Sequence, residues 1–258
     1  MPDFAINLSM LFTELPLKQR FAAAAEAGFR KVEIQFPYEL SIAEIKEQLE
    51  RHELDLILIN APAGNWATGE RGIACHPDRI DEQQQGVARA IQYATALNCK
   101  KINLLAGITP QNSEKDQVKS TFIRNLYNTA VACDAEGISL VSEAINTQDI
   151  PGFFLCTSNQ AWQLFAEVGH ANLKLQFDIY HMQIMQGNLI QTLQENIDRI
   201  GHIQFADVPG RHEPGTGEIN FTNVFNAIDA TSYAGSVSLE YIPLTSTLTG
   251  LSWLNQSK

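Results

Sequence analysis

Leu173-Lys174-Leu175-Gln176-Phe177-Asp178 sets apolar side chains at every second position and finishes on a carboxylate, within a run predicted as a strand from Leu173 to His181. Before it lies an amphipathic stretch that opens on Thr157-Ser158-Asn159-Gln160, fits a capping box, and closes at Gly169, where a left-handed C-terminal residue is wanted. Strand after helix is the theme of the whole chain. Seven further apolar runs read as strands: Phe4 to Met10, Lys31 to Phe36, Asp55 to Ala61, Lys101 to Gly107, Ile138 to Ile145, Ile200 to Asp207 and Ser236 to Ile242. Helical periodicity fills the intervals, with a second capping box at Ser41-Ile42-Ala43-Glu44 and terminal glycines at Gly28 and Gly137.

Regular strand-helix alternation implies a parallel sheet. Eight units averaging about 32 residues, with no low-complexity linker between them, predict a closed (β/α)₈ barrel, a TIM barrel, formed as one domain over residues 1–258. The alternative is an open doubly wound sheet, but no Gly-x-Gly-x-x-Gly follows the first strand to hold a dinucleotide. Gly215 and Gly217 form only a short Gly-x-Gly, without the Lys-Ser/Thr of a phosphate-binding loop.

Charge narrows the partners. Eighteen Lys plus Arg against 29 Asp plus Glu leave a net charge of −11, which opposes phosphate backbones and anionic membranes; nucleic acid and membrane are not expected as partners. A small anionic substrate remains compatible, because one Arg or a bound cation reverses the field inside a pocket. Cys75, Cys99, Cys133 and Cys156 are scattered and fit neither a disulfide framework nor a zinc knuckle. The start, Met1-Pro2-Asp3-Phe4, lacks a basic and apolar leader, and nowhere do about eighteen apolar residues run together, so a soluble cytoplasmic protein is expected. The composition leaves room for a homo-oligomer.

A barrel carries its chemistry at the C-terminal ends of the strands. Strand five ends Ser142-Glu143, strand six Phe177-Asp178, strand eight Leu239-Glu240, and strand seven carries Gln204 and then Asp207. One acid at one strand end is as often a helix cap as a functional group; four ends that agree are hard to explain as caps. Three carboxylates at one mouth repel by roughly 4 kcal/mol per pair at about 4 Å and an effective dielectric of 20. Two or three such pairs approach the whole stability of a domain, roughly 5 to 15 kcal/mol. Protons or a cation must relieve the strain. Glu143, Asp178, Gln204 and Glu240 make an all-oxygen set if the amide presents its carbonyl, which suits a divalent Mg²⁺ or Mn²⁺ ion better than zinc. His181, three residues past Asp178, is placed to bond a substrate oxygen or to orient a ligand. Arg211, in the loop after strand seven, and Arg71, in the loop after strand three, are the candidates to grip a substrate carboxylate.

Longer segments carry a resemblance: Asn7-Leu8-Ser9-Met10-Leu11-Phe12, Pro62 to Cys75, Asp178-Ile179-Tyr180-His181-Met182-Gln183 and His212 to Asn220. They resemble the hydroxypyruvate isomerase family within the xylose-isomerase-like barrels, and the likeness runs along nearly the whole chain. It implies a divalent metal held by Glu143, Asp178, Gln204 and Glu240, the two glutamates doubling as the proton-transfer pair, and His181 beside a small hydroxy-keto acid. Isomerases of 2-oxotetronates are similar over the same length and bring a four-carbon acid as the rival substrate. The sequence departs from the pattern at Tyr241-Ile242-Pro243, where relatives commonly place a Lys before the Pro. Two other classes fit the sequence less well. A metal-dependent DNA-repair nuclease of this barrel type calls for clustered histidines and a basic face, whereas the six histidines here are dispersed. A non-catalytic sugar-acid sensor would not need the intact acids.

Overall fold

The computed structural model describes residues 1–255; the last three residues of the expected domain lie outside them. Eight strands close on themselves in chain order, every neighbouring pair parallel: β1 (Phe4–Asn7), β2 (Lys31–Ile34), β3 (Asp55–Asn60), β4 (Lys101–Asn103), β5 (Ser139–Glu143), β6 (Leu173–Asp178), β7 (Ile200–Phe205) and β8 (Val237–Leu239). Each expected strand is present, and all eight are shorter than the apolar runs that announced them. The expected strand through His181 stops at Asp178 because the Asp178 side chain accepts the Tyr180 N–H at 2.9 Å and starts the helix Ile179–Met185. The expected strand through Gly107 stops at Asn103: Ala106 bridges to Gly72 in the loop after β3, where Cys75 N–H donates to the Ala106 carbonyl, and Ile108 bridges to Phe153 in the loop after β5. Gly72 and Gly107 cross there so closely that an added Cβ on either would meet the other strand's backbone.

The caps account for where the helices begin. Ser41 accepts the Glu44 N–H while Glu44 reaches back to the Ser41 N–H, a complete capping box. At Thr157 only half forms. Thr157 accepts the Gln160 N–H, but the Gln160 amide oxygen takes the Cys156 N–H one residue further back. Gly169 closes its helix at φ 66°, a left-handed value that its missing Cβ permits.

The helices bury Phe21, Ile45, Phe122, Leu164 and Phe225 against the outside of the strands. Phe205 of β7 meets the rings of Phe4, Phe225 and Trp253 at centroid distances of 5.2 to 5.9 Å, which anchors the C-terminal segment to the barrel. The inside differs from an ordinary barrel filler of branched aliphatics. Asn7, Glu33, Asn103, Glu143, Gln176, Asp178, His202, Gln204 and Glu240 are all buried. Register sets them side by side: Asn7 opposite Glu33, Glu143 opposite Gln176, Asp178 opposite Gln204.

Candidate active site

Strand ends bring Glu143, Asp178, His181, Arg211 and Glu240 together. Arg211 Nη2 lies 2.5 Å from Glu240 Oε2 and 3.7 Å from Asp178 Oδ2, so one guanidinium bridges two of the expected carboxylates. His181 Nε2 lies 3.5 Å from Asp178 Oδ2 and 3.7 Å from Glu143 Oε1. Glu143, Asp178 and His181 each offer one ligand atom within 4.8 Å of the others, the sole such group among the described residues.

The histidine's protonation is fixed by its neighbour. Asn146 Oδ1 accepts the N–H groups of Gln148 and Asp149, which turns its amide nitrogen onto His181 Nδ1 at 2.7 Å. Nδ1 therefore accepts, and the ring hydrogen sits on Nε2, facing the carboxylates. Burial, with Arg211 adding to it, holds the imidazole well below its ordinary pKa, so it is a neutral donor. That role suits a substrate oxygen better than a metal.

The carboxylates are under the stress that the sequence predicts. Burial and then the charges of Glu240 and Asp178 push Glu143 well above the usual carboxylate range. Burial lifts Glu240 to about 8 and Asp178 to about 6, each restrained by Arg211. Asp178 divides its work: Oδ1 caps the helix Ile179–Met185, while the fully buried Oδ2 has no hydrogen-bond partner. An orphaned carboxylate oxygen among repelling acids is what a cation would satisfy, so the residues present fit one.

These shifts carry a stability consequence. A carboxylic acid raised from 3.8 or 4.5 to about 6 or 8 holds more protons folded than unfolded, so stability falls as pH rises through the folded values. Chelator-treated protein is expected to melt at a higher temperature near pH 6 than near pH 8, with added Mn²⁺ flattening the difference. A melting temperature that instead climbs over that interval would show that the cluster carries no such stress.

Gln204 enters differently from the expectation. Its nitrogen, not its carbonyl, faces the acids, donating to Glu33 Oε1 at 2.6 Å and Glu240 Oε1 at 2.9 Å, while its oxygen accepts from Gln176 at 2.5 Å. The reason is Glu33, a buried acid that requires a donor opposite it. Arg71 is held within its own loop, donating to the carbonyls of Trp66 and Glu70 and stacking on the Trp66 ring at 4.1 Å.

Several residues of the site escape a reading limited to the last four strands. Asn7, Glu33 and Asn103 lie at the C-terminal ends of β1, β2 and β4, and the polar-ending signal is present there too. Asn103 donates to Glu143 at 3.2 Å. Asp207 acts as a clamp: its two oxygens accept the N–H groups of Val208, Gly215, Gly217 and Ile219 at 2.8 to 3.1 Å and so shape the loop that carries Arg211. Asp207→Asn would turn one acceptor into a donor facing two N–H groups and cost about 1–3 kcal/mol. The expected readout is a melting point lowered by about 2–4 °C per kcal/mol, together with a raised KM as Arg211 loosens; unchanged values of both would deny the clamp.

Comparison with known proteins places this arrangement. Residues 21–257 match the family model described as xylose isomerase-like TIM barrel. The chain belongs to the xylose isomerase-like TIM barrel family. Within the family it is 50% identical to hydroxypyruvate isomerase of Escherichia coli strain K12 and 43% identical to a 2-oxo-tetronate isomerase of Cupriavidus necator, each over 98% of both chains. Among solved structures, that of AP endonuclease, family 2, from Brucella melitensis superposes with a TM-score of 0.96 at 38% identity over the full length of both chains. Relatedness of this extent to two isomerases makes this member of the family an isomerase. No helix of the described residues is long and apolar enough to cross a membrane.

Proposed function

We propose that this chain is a metal-dependent isomerase that interconverts hydroxypyruvate and tartronate semialdehyde, with Glu143 and Glu240 moving the proton. The carrying observation is that two buried glutamates share one cluster and both have pKa values pushed upward, towards the range where a carboxyl group takes and returns a proton near neutrality.

The reaction moves a carbonyl between adjacent carbons. One glutamate removes a proton from the hydroxymethyl carbon, the C–H electron pair passes into an enediolate, the hydroxyl hydrogen of that carbon passes to the neighbouring oxygen, and the carboxylic acid of the pair returns a proton to the neighbouring carbon as the first carbon becomes the carbonyl. His181 donates its Nε2 hydrogen to a substrate oxygen, and Arg211 provides the cation for the substrate carboxylate, with Arg71 at the loop beyond as the second candidate. Glu143, Asp178 and Glu240 would hold Mg²⁺ or Mn²⁺, which supplies positive charge beside the oxygens where negative charge develops. Gln204, the expected fourth ligand, donates to Glu240 through its amide nitrogen and would offer the ion its carbonyl oxygen. One barrel domain suffices for all of this. The four cysteines are free and mostly buried, which supports a reducing, cytoplasmic setting.

The four-carbon reading rests on the 2-oxo-tetronate isomerase relatives. Proton-exchange NMR in deuterated buffer, with hydroxypyruvate and a 2-oxotetronate in parallel, separates the two. Hydroxypyruvate is expected to exchange at least about tenfold faster, the scale on which a pocket discriminates one added carbon. The reverse ratio assigns the four-carbon acid, and exchange on neither makes the chain a binder.

A further inference from the structure

Three amide nitrogens converge on one oxygen of the proton-transfer glutamate. Asn7 Nδ2, Gln35 Nε2 and Gln204 Nε2 all donate to Glu240 Oε1, at 3.0, 2.9 and 2.9 Å, which leaves Oε2 for Arg211 and the chemistry. An amide can present nitrogen or oxygen, so something must choose. For Asn7 and Gln204 it is the same atom: Glu33 Oε1 accepts from Asn7 Nδ2 at 2.8 Å and from Gln204 Nε2 at 2.6 Å. Backbone and side-chain partners secure the other end of each amide, since Asn7 Oδ1 accepts the Ser9 N–H and Gln204 Oε1 accepts from Gln176.

Glu33 is itself braced from below. Its Oε2 lies 2.7 Å from His202 Nε2, and His202 Nδ1 lies 3.2 Å from Lys101 Nζ. Glu33 and His202 are completely buried. Burial works against the Glu33 carboxylate, yet His202 beside it and the N–H groups of His202 and Gln204 keep its pKa below the usual range. A barrel interior ordinarily takes branched aliphatics at this depth; burial and then Lys101 hold the His202 pKa below its ordinary value, so a neutral imidazole donates to the Glu33 carboxylate and the buried charges are those of Glu33 and Lys101. The charges therefore call for a role other than stability.

We propose that Glu33 is a positioning residue: it turns the Asn7 and Gln204 amides so that both donate to Glu240 Oε1, and thereby fixes Oε2 as the oxygen presented to the substrate. Lys101 and His202 hold Glu33 at the height where it can do this. The kinetic part rests on the isomerase reading above; the orientation of the amides does not.

The test combines two measurements on the full chain. Selective ¹⁵N labelling of Asn and Gln, with assignment by single substitutions, is expected to show the Asn7 and Gln204 side-chain NH₂ protons shifted downfield and slow to exchange in the wild type. In Glu33→Gln those signals move upfield, while kcat falls about 10²-fold, the scale of a misplacement of about 1 Å, and KM stays within about twofold. A purely structural Glu33 would instead lower the melting temperature and the titrated fraction of active sites with kcat per active site unchanged, and that result overturns the proposal. So does a loss of kcat with the amide signals unmoved. If Glu33→Gln fails to fold, the wild-type spectrum decides: amide protons at ordinary shifts with fast exchange sink the assignment. A wild type that turns over neither acid fails the isomerase reading and leaves the spectrum to judge Glu33 by itself.

Discussion

Glu240→Gln lowers isomerisation by about 10³- to 10⁴-fold at saturating substrate and Mn²⁺, at the upper end of what a general acid-base contributes. The substitution keeps size and removes the proton site. It also meets a geometric conflict that sharpens the result. Oε1 receives three N–H donors, so the new amide must keep its oxygen there and send its NH₂ towards the Arg211 guanidinium that now sits 2.5 Å from Oε2. Donor then faces donor, and Arg211 loses its closest anion. Turnover and solvent-deuterium incorporation measured together separate the causes: loss of both with Mn²⁺ still bound assigns proton transfer to Glu240. Near-normal turnover with bound metal removes Glu240 from the chemistry.

The second large effect follows from Asp178. Dialysis against a chelator is expected to reduce isomerisation by at least about 10³-fold, the several kcal/mol that charge stabilisation by a metal ion supplies, and added Mn²⁺ to restore it. Asp178→Asn identifies the ligand. Its oxygen can stay on the Tyr180 N–H and keep the helix Ile179–Met185 capped, which places the NH₂ where the orphaned Oδ2 stood. The helix survives, one acid leaves a repelling cluster, and the metal-free melting temperature is expected to hold or rise. Mn²⁺ affinity, followed by EPR titration, drops at least about 10²-fold, in line with losing an anionic oxygen from an oxygen-ligand site. Wild-type affinity in this variant would show that the ion sits elsewhere, and activity retained in the chelator-treated enzyme would remove the ion from the reaction.

Both results trace to features that differ in how far they can be read along the chain. Strand β5 ends on Glu143, β6 on Asp178, and Glu240 follows β8, so a parallel barrel must deliver all three to one mouth. That is a consequence of topology and needs no coordinates. His181 is legible for the same reason, three residues beyond a strand end. The extent of the strands is less so. Apolar runs overshoot β4 and β6 because residues past the barrel remain buried under loops and helices, and hydrophobicity reports burial, not pairing. Asp178 shows the limit most plainly: as cap or as ligand it reads identically, and it serves the cap with one oxygen while leaving the other without a hydrogen bond.

The residues that orient the site form a different class. Asn146 determines which nitrogen of His181 carries the hydrogen, and Glu33 determines which face Gln204 shows to Glu240. Neither choice has a local signature, because an amide or an imidazole takes its direction from whatever donor or acceptor packs against it, and those partners lie 35 residues away in the first case and 171 in the second. The order of strands and acids along the chain, by itself, determines the barrel, the cluster of carboxylates at its mouth and the need for protons or a cation to relieve it, since those follow from alternation and from Coulomb repulsion. Only the closed tertiary structure decides the direction of each hydrogen bond within that cluster: that Gln204 donates, that His181 faces the acids with a proton, and that Arg211, not Arg71, meets Glu240.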